Sequence, residues 1–109
     1  MTFEDYQKKS RQTALYPDVD NNFIYPTLGL AGEAGEVAEK IKKIIRDKDN
    51  KLDEESKNTL KKELGDVLWY LSQLSTELGI DLEEVAENNL KKLFKRLDEG
   101  VIKGDGDDR

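Results

Sequence analysis

Apolar residues recur at spacings of three and four in three long stretches of the chain, and each stretch predicts an amphipathic helix. In GLAGEAGEVAEKIKKII, Gly29 to Ile45, a helix numbered from Glu33 places Leu30, Val37, Ile41 and Ile44 between about 20° and 80°. Glu33 then stands at 0° and Glu36 at about 300°. In KKELGDVLWYLSQL, Lys61 to Leu74, numbering from Glu63 gives the same picture. Leu60, Val67, Leu71 and Leu74 fall between about 20° and 80°, with Glu63 at 0° and Asp66 at about 300°. The two helices carry the same acidic edge beside the same apolar stripe. Gly35 precedes Glu36 as Gly65 precedes Asp66.

Local signals set the boundaries. Thr2 is an N-cap candidate for a first helix reaching Leu15, with Glu4 and Asp5 in its first turn. Its stripe is thin, formed by Phe3, Tyr6, Ser10 and Ala14, and Tyr6, Arg11 and Gln12 read as surface or packing residues within reach of a ligand. A loop rich in Asp and Asn follows Pro17, and Pro26 with Thr27 opens the second helix, which runs to about Asp47. Asp47 to Glu55 is a polar connection. It lacks the glycine and the oxygen ligand at its fifth position that a calcium loop needs, since Leu52 and Lys51 stand there. Asp53 caps the third helix, which extends to about Leu78 before Gly79. Asp81 with Glu84 predicts a capping box for the fourth, whose apolar face is Leu82, Val85, Ala86, Leu90, Leu93 and Leu97, with Gly100 at its end. The acidic, glycine-rich VIKGDGDDR tail reads as disorder, or as an ordered arm with Arg109 reaching a site. The 109 residues suit a single domain.

Packing the two stripes together brings four carboxylates toward one another at the edge of a core. Buried like charges are costly unless they take up protons or meet a cation. A hard divalent metal is the simplest compensation, and an all-oxygen ligand set suits magnesium or manganese. The plain alternative is that Glu33, Glu36, Glu63 and Asp66 are solvated helix-face charges, but a repeated register disfavours it. The matched glycines suggest close backbone approach or access for a ligand.

Composition removes other chemistries. With no cysteine and no histidine, disulfides, thiolate sites, imidazole ligands and histidine bases are excluded, so any site is built from oxygen. A carboxylate-bridged di-iron bundle, which pairs Glu with His, is nearly excluded on the same ground. A net charge of -6 disfavours nucleic acid and anionic membrane surfaces as partners. No apolar run approaches the roughly 18 residues of a membrane span, and the start has no leader-like apolar core, so a cytoplasmic protein is expected.

On the fourth helix Asn89, Lys92 and Arg96 share a face and can point at one ligand. The Glu-x-x-Glu of GLAGEAGEVAEK, the Glu-x-x-Asp of KKELGDVLWYL 26 residues later, and Asn89-Leu-Lys-Lys92-Leu93-Phe-Lys-Arg96 together resemble the MazG-like nucleotide pyrophosphohydrolases. The resemblance covers roughly residues 26 to 100. It implies an all-α fold, a bundle of four to five helices completed by association into a homodimer or homotetramer, with the site near a subunit interface. It implies magnesium-dependent cleavage of nucleoside triphosphates to monophosphate and pyrophosphate, a house-cleaning role for non-standard nucleotides being one use of it. By motif position Glu33, Glu36, Glu63 and Asp66 are the metal ligands, Lys92 and Arg96 take phosphate, and Asn89 contacts the nucleotide. One of the carboxylates, with Glu36 the choice here, accepts a proton from the attacking water. The pattern departs from some members at Thr59, where they carry a lysine; Lys62 or another subunit would then serve phosphate.

A reading from a different class is a catalytically silent helical module that binds nucleotides or pairs with another protein. Trp69 lies off the main stripe and is an interface residue, a wall of the base pocket or core. Base and sugar preference are not announced by any residue.

Overall fold

Polar residues at the ends of the apolar stretches start the helices. Thr2 accepts from the Asp5 backbone N–H at 3.0 Å while Asp5 returns to the Thr2 N–H, a reciprocal capping box. Asp53 accepts from the Ser56 N–H at 2.7 Å. Asp81 stands at the start of the fourth helix with no side-chain capping bond, so the capping box expected with Glu84 does not form. Pro26 sits inside the first turn of the second helix, where its missing N–H costs nothing, and the Asn22 side chain serves the Tyr25 N–H at 3.0 Å.

The computed structural model describes residues 1–100, and the predicted tail with Arg109 lies outside them. The described residues form α1 (Phe3–Arg11), α2 (Ile24–Asp47), α3 (Glu54–Glu77) and α4 (Leu82–Asp98), and no strand. The first helix stops four residues short of the expected Leu15. Thr13 turns its hydroxyl onto the Ser10 carbonyl at 2.6 Å, and the chain bends to deliver Ala14 and Tyr16 into the interior.

α3 is the central element. It touches each of the other helices, whereas α2 packs against α3 and no other helix. The six-residue link Lys48–Asp53 folds α2 and α3 into an antiparallel hairpin about 36 Å long. Asp49 and Asn50 make the turn with positive φ (51° and 61°), conformations that short polar side chains tolerate. Register is fixed at Gly29, where an added Cβ would collide with the Tyr70 ring. Gly35 and Gly65 have open space where a Cβ would go, so of the two readings of their sequence pattern the close backbone approach is not made within one subunit.

α1 runs antiparallel to α3 along a polar seam. The Ser10 and Ser72 hydroxyls meet at 3.2 Å, the fully buried Gln73 donates to Ser10 at 3.1 Å, and Gln7 donates to Thr76 at 3.1 Å. Next to this seam lies Glu77, whose side chain has no exposed surface. Its carboxylate accepts from the Tyr16 hydroxyl, from Arg11 at 2.8 Å, and from the Asp20 and Asn22 N–H groups at 3.0 and 2.8 Å. Burial alone would raise its pKa, yet these four donors outweigh burial and hold the carboxyl far below its usual range, at about 2. The whole loop between α1 and α2 is thereby tied to α3.

Apolar burial is sparse by comparison. Among the described residues the buried apolar ones are Ala14, Tyr16, Pro26, Ile44 and Leu82, while Leu28, Ile45, Leu64, Phe94 and Leu97 are each more than half exposed. The radius of gyration is 16.7 Å, against about 13 Å for a compact chain of this length.

Glu77→Gln tests the anchoring role. The folded carboxyl titrates near 2 and an unfolded one near 4.5, so its stabilisation is complete above about pH 5 and fades as pH falls from 4.5 toward 2. Urea unfolding at pH 7 is expected to show a loss of about 3 kcal/mol in the variant, since a buried ion pair is broken from one side. The two proteins should converge near pH 2. Equal stabilities at pH 7 would rule the role out.

Candidate metal centre

The α2/α3 register carries Glu33 across to Glu63 and Asp66, which lie one turn apart on α3. Each of the three offers a carboxylate oxygen within 4.8 Å of the other two, with Glu33 and Glu63 half-buried and Asp66 exposed. Burial, then the negative charges of Asp66, Glu63 and Glu36, raise the Glu33 pKa. Carboxylates crowded in this way are relieved by taking up a proton or by a cation between them. Glu36 stands one turn along α2, exposed, and contributes to this field without placing an oxygen in the group of three.

The donor set is all carboxylate oxygen, and the open space at Gly35 and Gly65 leaves room beside it. Such a set suits a hard divalent ion such as magnesium or manganese, with further positions left to water or substrate oxygens. The residues fit the ion that their sequence pattern suggests.

Two tyrosines border the centre. Tyr70 follows Asp66 by one turn, and burial, then Tyr25 and Glu33, raise its pKa. Tyr6 reaches over from α1, its pKa raised by burial and then by Asp66. Tyr70 continues into an aromatic patch. Trp69 meets it edge-on at 5.0 Å, and Tyr25 stacks on Tyr16 at 5.0 Å. Trp69 also donates from Nε1 to the Thr13 hydroxyl at 2.8 Å, which pins it within the subunit. Tyr25 and Tyr16 had no place in the sequence pattern. Tyr70 had one signal, its position four residues after Asp66. Of the other first-helix residues within reach of a ligand, Arg11 is spent on Glu77, Asp20 and Tyr16, and Gln12 is exposed.

The α4 row is placed differently. Asn89 and Lys92 are exposed, and Arg96 is buried at 8% exposure. Nε and Nη2 of Arg96 have no acceptor among the described residues. Among those residues no hydrogen bond or ion pair joins this row to the carboxylates, and the charges acting on Glu33 are all negative. Thus one chain assembles three of the expected ligands and leaves the cationic row apart.

Residues 26–101 match the MazG nucleotide pyrophosphohydrolase domain. The chain belongs to this family. It is also similar to "Gene 37 protein" of Mycobacterium phage L5, at 47% identity over the whole of both chains. No solved structure matches the chain. The matched residues include both acidic motifs and the α4 row, and the all-α architecture is that of the MazG domain. No described helix is long and apolar enough to cross a membrane.

Glu33→Gln separates the charge cost of the centre from its ligand role. In EDTA the variant should be more stable than the parent by about 1 kcal/mol, because one of several crowded like charges is gone. Added Mg²⁺ should raise the parent's Tm by several degrees through linkage and leave the variant's nearly fixed. Thermal denaturation with and without the ion reads both, and a parent indifferent to Mg²⁺ and Mn²⁺ would count against the centre.

Proposed function

We propose that the protein is a Mg²⁺-dependent nucleoside triphosphate pyrophosphohydrolase, cleaving between the α and β phosphates to give monophosphate and pyrophosphate. The observation that carries this reading is the convergence of Glu33, Glu63 and Asp66 from both acidic motifs onto one point, in a chain of the MazG family. Glu33, Glu63 and Asp66 hold the ion, and Glu36 completes the set from its neighbouring turn. Bound Mg²⁺ would supply charge neutralisation on the phosphate oxygens and on the leaving pyrophosphate.

The remaining work falls to side chains. Water attacks the α phosphorus, the bond from that phosphorus to the bridging oxygen breaks, and the water proton passes to a carboxylate. Glu36 is suited to that transfer because it is exposed beside the centre. Lys92 and Arg96 take phosphate oxygens and Asn89 contacts the nucleotide. The buried, unpaired Nε and Nη2 of Arg96 support this, since buried donors without partners cost about 1–3 kcal/mol until an acceptor arrives.

The separation of the α4 row from the carboxylates in one chain, together with the uncovered apolar faces of α2, α3 and α4, leads us to infer a homodimer or homotetramer that brings the row to the centre. Non-standard nucleotides are the substrates that would make such a protein a house-cleaning enzyme.

Product analysis over a nucleotide panel is the direct test, with monophosphate and pyrophosphate expected. Orthophosphate with diphosphate, or metal-dependent binding without turnover, would overturn the enzymatic reading and favour a silent binding module. Glu36→Gln and Asp66→Asn should each reduce kcat by about 100-fold or more with unchanged far-UV circular dichroism. For assembly, sedimentation velocity at micromolar concentration should show a dimer or tetramer, and a monomer there would defeat the shared site.

A further inference from the structure

Toward the hairpin turn, the seam between α2 and α3 opens into a cavity of about 250 Å³. Lys40, Lys43 and Lys48 line it from α2 and its end, and Ser56 and Thr59 from α3. It continues the face that carries the carboxylates. Lys40 follows Glu33 by two turns and Thr59 precedes Glu63 by one, so in an antiparallel pair both are displaced the same way, by about 6–10 Å. At about 100° per residue Lys40 is about 20° from Glu33, and Lys43 is about 20° from Glu36.

The charge in this cavity is largely unspent. Lys40 makes no ion pair among the described residues, and Lys43 approaches Glu39 only at 4.0 Å, a carboxylate held by Lys42 at 2.9 Å. Lys48 is bound to Asp53 at 3.2 Å and to the Ser56 hydroxyl at 3.1 Å. Of the two carboxylates in the wall, Asp47 has both oxygens taken by Arg46, at 2.7 and 2.8 Å, leaving Glu55. In a chain of net charge -6, a wall with three lysines and two carboxylates, of which Asp47 is already taken by Arg46, is a local positive excess that an anion would neutralise.

Size narrows the anion. Pockets for drug-sized molecules run from about 300 to 1,000 Å³, so this one lies at the small end of that range, with room for one or two phosphate groups. Position orients it. On the opposite side of the carboxylates the seam offers Tyr25, Tyr70 and the Gly29 contact, apolar and aromatic, with no lysine.

We propose that Lys40 and Lys43 form a pyrophosphate subsite at the hairpin end of the seam, receiving the β and γ phosphates and then the leaving group. The cation absent at Thr59 on α3 is thereby supplied from across the seam by α2. This rests on the proposed cleavage of triphosphates at the neighbouring carboxylates, but it is tested by binding, which needs no turnover.

Calorimetric titration with inorganic pyrophosphate in Mg²⁺ is the experiment, on the parent, on Lys40→Met with Lys43→Met, and on a control carrying Lys8→Met with Lys9→Met. The control makes the same change in net charge on α1, far along the chain from the cavity. The expected result is a loss of roughly tenfold or more in pyrophosphate affinity for the Lys40 and Lys43 pair, with the control within about twofold of the parent. The same pair should raise KM for a triphosphate substrate and the inhibition constant of pyrophosphate while leaving monophosphate affinity unchanged. Lys40→Gln alone repeats the titration if the paired substitution unfolds the chain. Equal losses in both pairs would reduce the effect to overall charge and overturn the subsite, as would a parent that ignores pyrophosphate. A parent that binds pyrophosphate through these lysines yet cleaves no nucleotide would instead sink the enzymatic reading and leave the subsite standing.

Discussion

The contact between α2 and α3 fixes everything the protein has to offer chemically. A one-residue slip along that hairpin would rotate Glu33 away from Glu63 and Asp66 by roughly a quarter turn, and no other helix touches α2 to correct it. Gly29 against Tyr70 is the steric stop that sets the register. The same contact is also the least comfortable in electrostatic terms, because it drives like charges to within 4.8 Å of one another. Packing holds together what charge would separate, and an ion that satisfies the charge would reinforce the packing.

Elsewhere the molecule relies on hydrogen bonds more than on apolar burial. Ser10, Ser72 and Gln73 let α1 lie close on α3, and Glu77 gathers four donors from the end of α1 and the loop after it. Arg11 shows the balance. Burial would lower its pKa, while its bonds to Glu77, Asp20 and Tyr16 raise it well above the ordinary arginine value. The apolar residues freed from an internal core appear on the outer faces of α2, α3 and α4, which is why the single chain is broader than its length requires.

Periodicity made three of the four helices legible nearly to the residue, because their caps and stops are local: Asp53 and the glycines at 79 and 100 act within one turn. It also placed Glu33, Glu63 and Asp66 together, since two equal spacings on neighbouring helices can meet only along a shared edge. Glu36 shares that edge but not the point of convergence. The early stop of α1 could not be read, because it depends on Thr13 and Tyr16 finding partners more than fifty residues away. Glu77 was hidden for the same reason: its donors come from Arg11 at the end of α1 and from positions 16, 20 and 22 in a loop with no period. The glycines misled in part. Gly35 and Gly65 repeat one another in sequence, whereas the tight contact belongs to Gly29, whose partner is an aromatic ring on another helix.

Because α3 is the one helix that α2 packs against among the described residues, the two arms of the hairpin resemble a pair of tweezers hinged at Asp49 and Asn50. Whatever bridges Glu33 to Glu63 acts as a clasp midway along the arms. Occupancy would therefore be felt well beyond the ligands themselves, as slower amide exchange over the length of α2, the element with the fewest other restraints.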